Sequence, residues 1–187
     1  MKPPVHRFEA IVLPHLDAAY NLARWLVRDE HAAEDVVQEA YLRALRYFDA
    51  FRGSEIGEAR SWLLGIVRNT SYTWLKNAKR SGSTVEFDDG VELDIADASD
   101  LPIGRVENPE AIFSSKAERN EINSAIRALP MSFREVLILR EIEEMPYESI
   151  AKIMQIPVGT VMSRLSRARS LLRVALEATF RASSYES

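Results

Sequence analysis

Cysteine is absent from this chain of 187 residues, and histidine occurs only three times. A protein without cysteine forms no disulfide, holds no metal through thiolates and has no cysteine nucleophile. His6, His15 and His31 do not have the spacing of a metal site or a catalytic triad, and the chain has no Gly-rich phosphate loop. The sequence therefore predicts a protein that is not an enzyme and that uses neither a metal nor a cofactor.

Long apolar runs are also missing. No segment approaches the roughly 18 to 20 apolar residues that cross a bilayer. Charged residues occur within the first residues, Met1 to Arg7, and again soon after them, so the apolar stretch expected of a signal peptide is missing. Apolar residues at 47% and charged residues at 28% are typical of a globular protein in water. We expect a cytoplasmic protein without membrane insertion.

Acidic residues are concentrated in the middle of the chain. Residues 81–118 hold ten acidic residues and two basic ones, whereas 1–80 and 119–187 each hold two more basic than acidic residues. The net charge of −4 therefore does not exclude nucleic-acid binding by either flank. Because glycine and proline interrupt the middle and its apolar residues follow no period, we predict an acidic flexible linker over 81–117.

Residues 1–80 are predicted to form an N-terminal helical domain, because apolar residues recur at intervals of three and four. The first pattern runs from Val5 to Leu26, and Pro14 is expected to kink or split it. Further helices are expected from about Ala32 to Phe48 and from about Ala59 to Arg80. The predicted buried side of the second helix consists of Val37, Ala40, Tyr41, Ala44, Leu45 and Phe48.

The third predicted helix combines basic and aromatic residues. From Ala59 to Arg80 it carries five basic residues and no acidic one, together with Trp62, Tyr72 and Trp74. Such a helix suits single-stranded nucleic acid, whose bases stack on aromatic rings while cations hold the phosphates. The alternative is a core role for the aromatic residues. The apolar stripe favours that role for Trp74 and leaves both interpretations open for Trp62 and Tyr72.

A second helical domain is predicted over residues 118–182, so the whole chain is expected to be all-α. Ser132 and Glu135 have the spacing of a capping box that opens a helix Phe133–Ile142. A short helix, Tyr147–Met154, a three-residue turn and a new helix with Pro157 in its first position then predict a helix-turn-helix.

The last helix has an apolar side and a basic side. Val161, Leu165 and Ala168 fall on one side, and small hydroxyl residues and arginines fall on the other. Small side chains let a helix enter the major groove, where arginine can form two hydrogen bonds with a guanine edge. A single basic helix more often only faces solvent. The turn and the inward apolar stripe together favour DNA binding here.

Two blocks of sequence also resemble a known family. The first is AEDVVQEAYLRALR at 33–46, FRG at 51–53 and WLLGIVRN at 62–69. The second is LP at 129–130, FREV at 133–136, LR at 139–140, IAKIM at 150–154 and PVGTVMSRLSRAR at 157–169. In this order they resemble the bacterial RNA polymerase sigma factors of the extracytoplasmic-function (ECF) group of the sigma-70 family. Met162 departs from the basic residue that many such proteins carry there.

The resemblance implies a sigma factor that binds the β and β′ subunits of core RNA polymerase, directs the enzyme to stress-response promoters and assists melting. The residues that it assigns to core polymerase are Asp35, Gln38 and Glu39. Those that it assigns to the melted −10 strand are Arg60, Trp62, Arg68, Asn69, Tyr72 and Lys76. Those that it assigns to the duplex −35 element are Thr160, Ser163, Arg164, Ser166 and Arg167. An anti-sigma factor is an expected partner, and the acidic linker would follow the RNA exit path.

Other functions remain open from the residues alone. A free-standing helix-turn-helix regulator would need a sensor or dimerisation domain, for which the first domain shows no signature. An enzyme is the third alternative. Gln38 and Glu39 could also belong to an ordinary solvated helix face, and the acidic segment could be a plain spacer between domains.

Overall fold

A computed structural model describes residues 4–53, 56–81 and 116–184 of the chain. Within these ranges the regular structure is helical, and no β-strand occurs. The all-α prediction is confirmed. Most of the predicted linker, residues 82–115, lies outside the described residues, and so does the path that we expected it to take.

Four helices form the N-terminal lobe, residues 4–81. They are α1 (Pro4–Val12), α2 (Leu16–Val27), α3 (Glu30–Tyr47) and α4 (Ile56–Arg80). Pro14 lies in a 3-10 turn, Leu13–His15, between α1 and α2, so the predicted split is confirmed. Asp29 starts α3, because its carboxylate accepts a hydrogen bond from the Ala32 amide at 2.7 Å.

The core of the N-terminal lobe lies between α2, α3 and α4. Leu22, Val36, Leu63 and Val67 contribute to it and are almost fully buried. Our placement of Leu45 on the buried side of α3 is wrong, since 47% of its surface is exposed. Successive residues of a helix point about 100° apart, and the inward side of α3 is centred on Ala40 and Ala44, so Leu45 falls beyond its edge.

Four further helices form the C-terminal lobe, residues 116–184. They are α5 (Lys116–Ala128), α6 (Met131–Leu137), α7 (Tyr147–Met154) and α8 (Val158–Ser184), and a π-helical turn, Ile138–Ile142, continues α6.

The predicted capping box is wrong. Pro130 precedes α6 and makes no side-chain cap, while the Glu135 side chain is buried and pairs with another part of the chain. Pro157 directly precedes α8 instead of occupying its first position.

The two lobes pack against each other. Helix α2 contacts α6, and α4 contacts α7. Buried apolar residues of both lobes belong to one continuous core. The sequence predicted two domains on a linker and did not predict this contact.

Candidate nucleic-acid interface

Helices α7 and α8 form the predicted helix-turn-helix. Gln155 ends α7 in the left-handed conformation, with φ 56° and ψ 44°, which reverses the chain within three residues. The Pro157 carbonyl then accepts hydrogen bonds from the Thr160 and Val161 amides at 3.0 and 3.1 Å. Val161 and Leu165 are buried against the lobe, so the opposite side of α8 faces solvent.

The five residues assigned to the −35 element lie on the first three turns of α8. Ser166 and Arg167 are exposed, whereas Thr160, Ser163 and Arg164 are half-buried. The Ser163 hydroxyl donates to the Thr160 carbonyl at 3.1 Å, which leaves a hydroxyl oxygen as an acceptor. The arrangement offers a short row of small polar side chains with a guanidinium at its exposed end.

Arg169 lies on the same helix but has a different role. Its Nε donates to Glu141 Oε1 at 3.0 Å, and the pair joins α8 to the π-helical turn. Because this partner belongs to the same lobe, Arg169 supports the fold locally, and we did not assign it to DNA.

Three of the six residues assigned to the −10 strand contact the C-terminal lobe. The Arg60 guanidinium donates to Glu143 Oε2 at 2.6 Å. Arg68 donates to Glu135, and the Tyr72 hydroxyl donates to Glu135 Oε2 at 2.9 Å. We call these five residues, which join α4 to the C-terminal lobe, the interlobe cluster.

The part of the interlobe cluster around Glu135 is shielded from water, whereas the Arg60 side chain is 29% exposed. Glu135 has a side-chain exposure of 0% and Arg68 of 17%. Burial raises the pKa of the Glu135 carboxyl, while the Arg68 guanidinium and the Tyr72 hydroxyl act in the opposite direction. Burial also raises the pKa of the Tyr72 hydroxyl, and the neighbouring Glu135 adds to that shift. Tyr72 is therefore a neutral donor to Glu135.

The sequence did not single out Glu135 or Glu143 as site residues. Glu135 stands within the apolar run MSFREVLIL, and Glu143 follows it in EIEEM. An acidic residue at an inward position of a helix is the available signal, since a buried carboxylate requires a partner. Identifying that partner as a residue of the other domain requires the tertiary structure.

Asn69, Lys76 and Trp62 are the remaining residues assigned to the −10 strand. Asn69 and Lys76 are exposed. Trp62 is half-buried and packs on Phe51, with ring centres 4.8 Å apart. Phe48 continues this aromatic cluster at 6.4 Å from Trp62.

The aromatic cluster fixes the first part of the loop between α3 and α4. The Gly53 carbonyl accepts a hydrogen bond from Arg7 at 3.2 Å. A Cβ at position 53 would lie 2.3 Å from the Phe51 ring, so the close approach of the loop to Phe51 requires glycine. Residues 51–53 are thereby held next to Trp62 of α4.

The residues assigned to core polymerase share the outward face of α3. Asp35, Gln38 and Glu39 are exposed, and Glu39 pairs with Arg43 at 2.7 Å. Leu42 lies on the same face, about one turn beyond Gln38 and Glu39, and is 56% exposed. An apolar residue at an outward helical position is the signal by which the sequence could have added Leu42 to the set.

The described residues also limit other kinds of site. No described helix has the length and apolar character that a membrane span requires. Nowhere in residues 4–53, 56–81 and 116–184 do three or more histidine, cysteine, aspartate or glutamate residues group as metal ligands.

Comparisons with known proteins match both lobes. The family models described as Sigma-70 region 2 and Sigma-70, region 4 match residues 11–81 and 119–172. The RNA polymerase sigma-H factor of Pseudomonas aeruginosa is 33% identical over 176 residues, which is 93% of this chain and 88% of that protein. The ECF RNA polymerase sigma-E factor of Escherichia coli K12 is 36% identical over 138 residues, 74% of this chain and 70% of that protein.

Two solved structures are similar in fold. The sigma factor RpoE of Bartonella quintana, solved in complex with the anti-sigma factor NepR, matches with a TM-score of 0.65 and 27% identity over 91% of this chain and 97% of RpoE. CnrH, solved in complex with the cytosolic domain of CnrY, matches with a TM-score of 0.60 and 23% identity over 91% of this chain and 88% of CnrH.

Proposed function

Because this chain belongs to the ECF group of RNA polymerase sigma factors in the sigma-70 family, we propose how its surfaces divide promoter recognition between them. As a sigma factor it binds core RNA polymerase, directs the enzyme to promoters and assists their melting. The observation that carries the assignment is the presence of both family regions, in order, on the two lobes. A free-standing regulator is not favoured, because the region that would have to carry its sensor is sigma region 2.

The C-terminal lobe binds the −35 element as duplex DNA. Its α8 enters the major groove with Thr160, Ser163, Arg164, Ser166 and Arg167 toward the base edges and phosphates. The exposure of Ser166 and Arg167 supports this role. Arg167 reads a guanine through two hydrogen bonds, and the hydroxyl residues permit a close approach of the helix.

The N-terminal lobe holds the melted −10 strand along α4. Arg60, Arg68 and Lys76 supply positive charge, Trp62 and Tyr72 supply aromatic surface, and Asn69 supplies an amide for a base edge. Capture of an unstacked base offsets the few kcal/mol that melting costs at that base. The loop that Gly53 and Phe51 hold beside Trp62 borders this surface.

Core polymerase binds the outward face of α3. Asp35, Gln38 and Glu39 provide the polar contacts, and Leu42 provides apolar area beside them. At an interface, an exposed leucine becomes buried and its polar neighbours form the rim.

An anti-sigma factor is a further partner of this chain. Its support is the solved complex of the similar RpoE with NepR.

The chain works in the cytoplasm, where polymerase meets the chromosome. RNA synthesis is catalysed by the polymerase, and the chain itself contributes binding and positioning.

Run-off transcription with purified core polymerase tests the function. Genomic DNA fragments of the organism that encodes this chain serve as templates, and the 5′ ends of the transcripts are sequenced. We expect start sites that depend on the chain and share one pair of upstream elements. Absence of chain-dependent transcripts, together with no binding to core polymerase in a titration, would overturn the sigma-factor function for this protein.

A further inference from the structure

Two apolar side chains are exposed at the start of α8, among the residues that we assign to the −35 element. Met162 is 54% exposed and Val158 is 37% exposed. They are four residues apart and therefore neighbour each other along one line of the helix, which Ser166 continues one turn later. The side of α8 that packs into the lobe holds Val161 and Leu165. Neither Met162 nor Val158 belongs to that core, so the fold does not account for their apolar character.

Met162 lacks the chemistry of its polar neighbours. Its side chain has no hydrogen-bond donor, and its thioether sulfur is only a weak acceptor, so Met162 does not hold a phosphate. Its unbranched, polarizable side chain packs against other apolar groups. In the major groove the bases present one such group, the methyl group of thymine, and otherwise hydrogen-bond donors and acceptors. Thymine is therefore the base that suits this side chain.

The place of Met162 on α8 brings it to the base edges. Helices that read the major groove contact bases with their N-terminal residues, and Met162 is the fifth residue of α8. At about 100° per residue, Met162 lies about 40° from Ser166 and about 100° from Ser163 around the helix. It borders the hydroxyl residues whose small size lets α8 approach the DNA closely. A side chain as long as methionine reaches the groove floor from that position.

We propose that Met162 is a specificity-determining residue of the −35 site, whose side chain contacts the methyl group of a thymine at one position of the element. Val158, one turn before Met162, adds apolar surface to this contact. Cytosine presents an amino donor and no methyl group at the same edge, so the contact disfavours a cytosine there. The proposal rests on the function proposed above, in which α8 binds the −35 element as duplex DNA.

Deoxyuridine tests the contact, because it pairs as thymine does and lacks only the methyl group. The promoter is one that the run-off transcripts define, and each thymine of its −35 element, on either strand, is replaced singly. Affinity is measured with holoenzyme assembled from core polymerase and the full chain. We expect about fourfold weaker binding at one position, since a buried methyl group contributes about 0.8 kcal/mol and about 1.4 kcal/mol is tenfold.

Variants of Met162 assign the methyl contact to this side chain. With Met162→Ala, the thymine and deoxyuridine promoters should bind with the same affinity, whereas Met162→Leu should keep most of the fourfold difference. Val174→Ala is the matched control, because Val174 is also an exposed apolar residue of α8. It lies about 18 Å further along the helix, more than the roughly 12 Å width of the major groove, and should leave the fourfold difference unchanged. Thermal melting verifies that each variant is folded.

The outcomes separate this contact from the function on which it rests. An element without thymine overturns the proposal, as does a wild-type holoenzyme that ignores every deoxyuridine or a Met162→Ala variant that keeps the fourfold difference. Full base-pair substitutions are made at the same positions. If these weaken binding while deoxyuridine does not, Met162 reads no methyl group and the −35 function stands. If they also have no effect, the −35 function of α8 fails.

Discussion

Arg167 is the residue of α8 that we expect to read a base. It is exposed and lies well away from the buried side formed by Val161, Leu165 and Ala168. Arg167→Ala should cost about 1–3 kcal/mol of promoter affinity and relax the preference at one −35 position. Binding to a panel of single-base promoter variants measures this. Arg119→Ala, an exposed arginine on α5, is the control, and an equal loss on every sequence would assign Arg167 to phosphate.

Asn69 is exposed on α4 beside the interlobe cluster. Asn69→Ala should impair promoter opening and leave duplex binding at the −35 element unchanged, because the amide is expected to contact only an unstacked base. Permanganate reactivity of unpaired thymines reports the opening. Asn77→Ala, two turns further along α4, is the matched control. Normal melting by the Asn69 variant would contradict the assignment.

For single residues, the sequence predicted which side chains are exposed better than it predicted which residues they contact. The helical period correctly placed Ser166 and Arg167 outward and Val161 and Leu165 inward, because exposure depends mainly on the angle around one helix. Leu45, beyond the edge of the buried side of α3, is an exception. The period could not place Arg68, whose partner Glu135 lies 67 residues away in sequence. Trp62 and Tyr72, left between core and DNA by the sequence, are half-buried.

Gln155 is the residue on which the turn between α7 and α8 depends. It adopts φ 56°, a conformation that costs residues with a Cβ about 1–2 kcal/mol and costs glycine little. Because glycine loses more entropy on folding, Gln155→Gly should raise the free energy of unfolding by up to about 1 kcal/mol. Denaturant unfolding of the full chain gives this value.

Lys152→Gly provides the contrasting variant for that experiment. Lys152 is exposed and lies in the last turn of α7, where glycine should lower the free energy of unfolding by up to about 1 kcal/mol. The same new residue is thus expected to act in opposite directions three positions apart. A destabilised Gln155→Gly variant would show that the Gln155 side chain supports the turn in some other way.

Among the elements, helix positions were predictable and some helix ends were not. The sequence located α3, α4, α7 and α8 within a few residues, since each carries a regular apolar stripe. The capping box at Ser132 and Glu135 failed because a three-residue spacing is common and Glu135 has stronger partners in Arg68 and Tyr72. Local spacing is a weak argument where a tertiary contact competes for the same side chain.

The whole molecule differs most from the expectation. Composition and charge predicted two lobes and an acidic segment between them, and the two lobes are observed. Their packing was not predictable, because helix periods report one buried side for each helix and do not state which neighbour covers it. The aromatic and basic residues of α4 fit a nucleic-acid surface, and in the structure part of the same set forms the interface between the lobes.

Gln38 and Glu39 are the residues that we expect to contact core polymerase. Both point outward from α3, so Gln38→Ala combined with Glu39→Ala should change the free energy of unfolding by no more than about 0.5 kcal/mol, even though the Glu39 pair with Arg43 is lost. Affinity for core polymerase should fall by about 1–3 kcal/mol, because the partner groups lose charged and hydrogen-bonding contacts. Titration of labelled protein with core polymerase, paired with thermal melting, measures both quantities. Asp17→Ala combined with Asn21→Ala removes one carboxylate and one amide from α2 and should leave the affinity unchanged. If the two double variants bind polymerase equally, the outward face of α3 is not the polymerase interface.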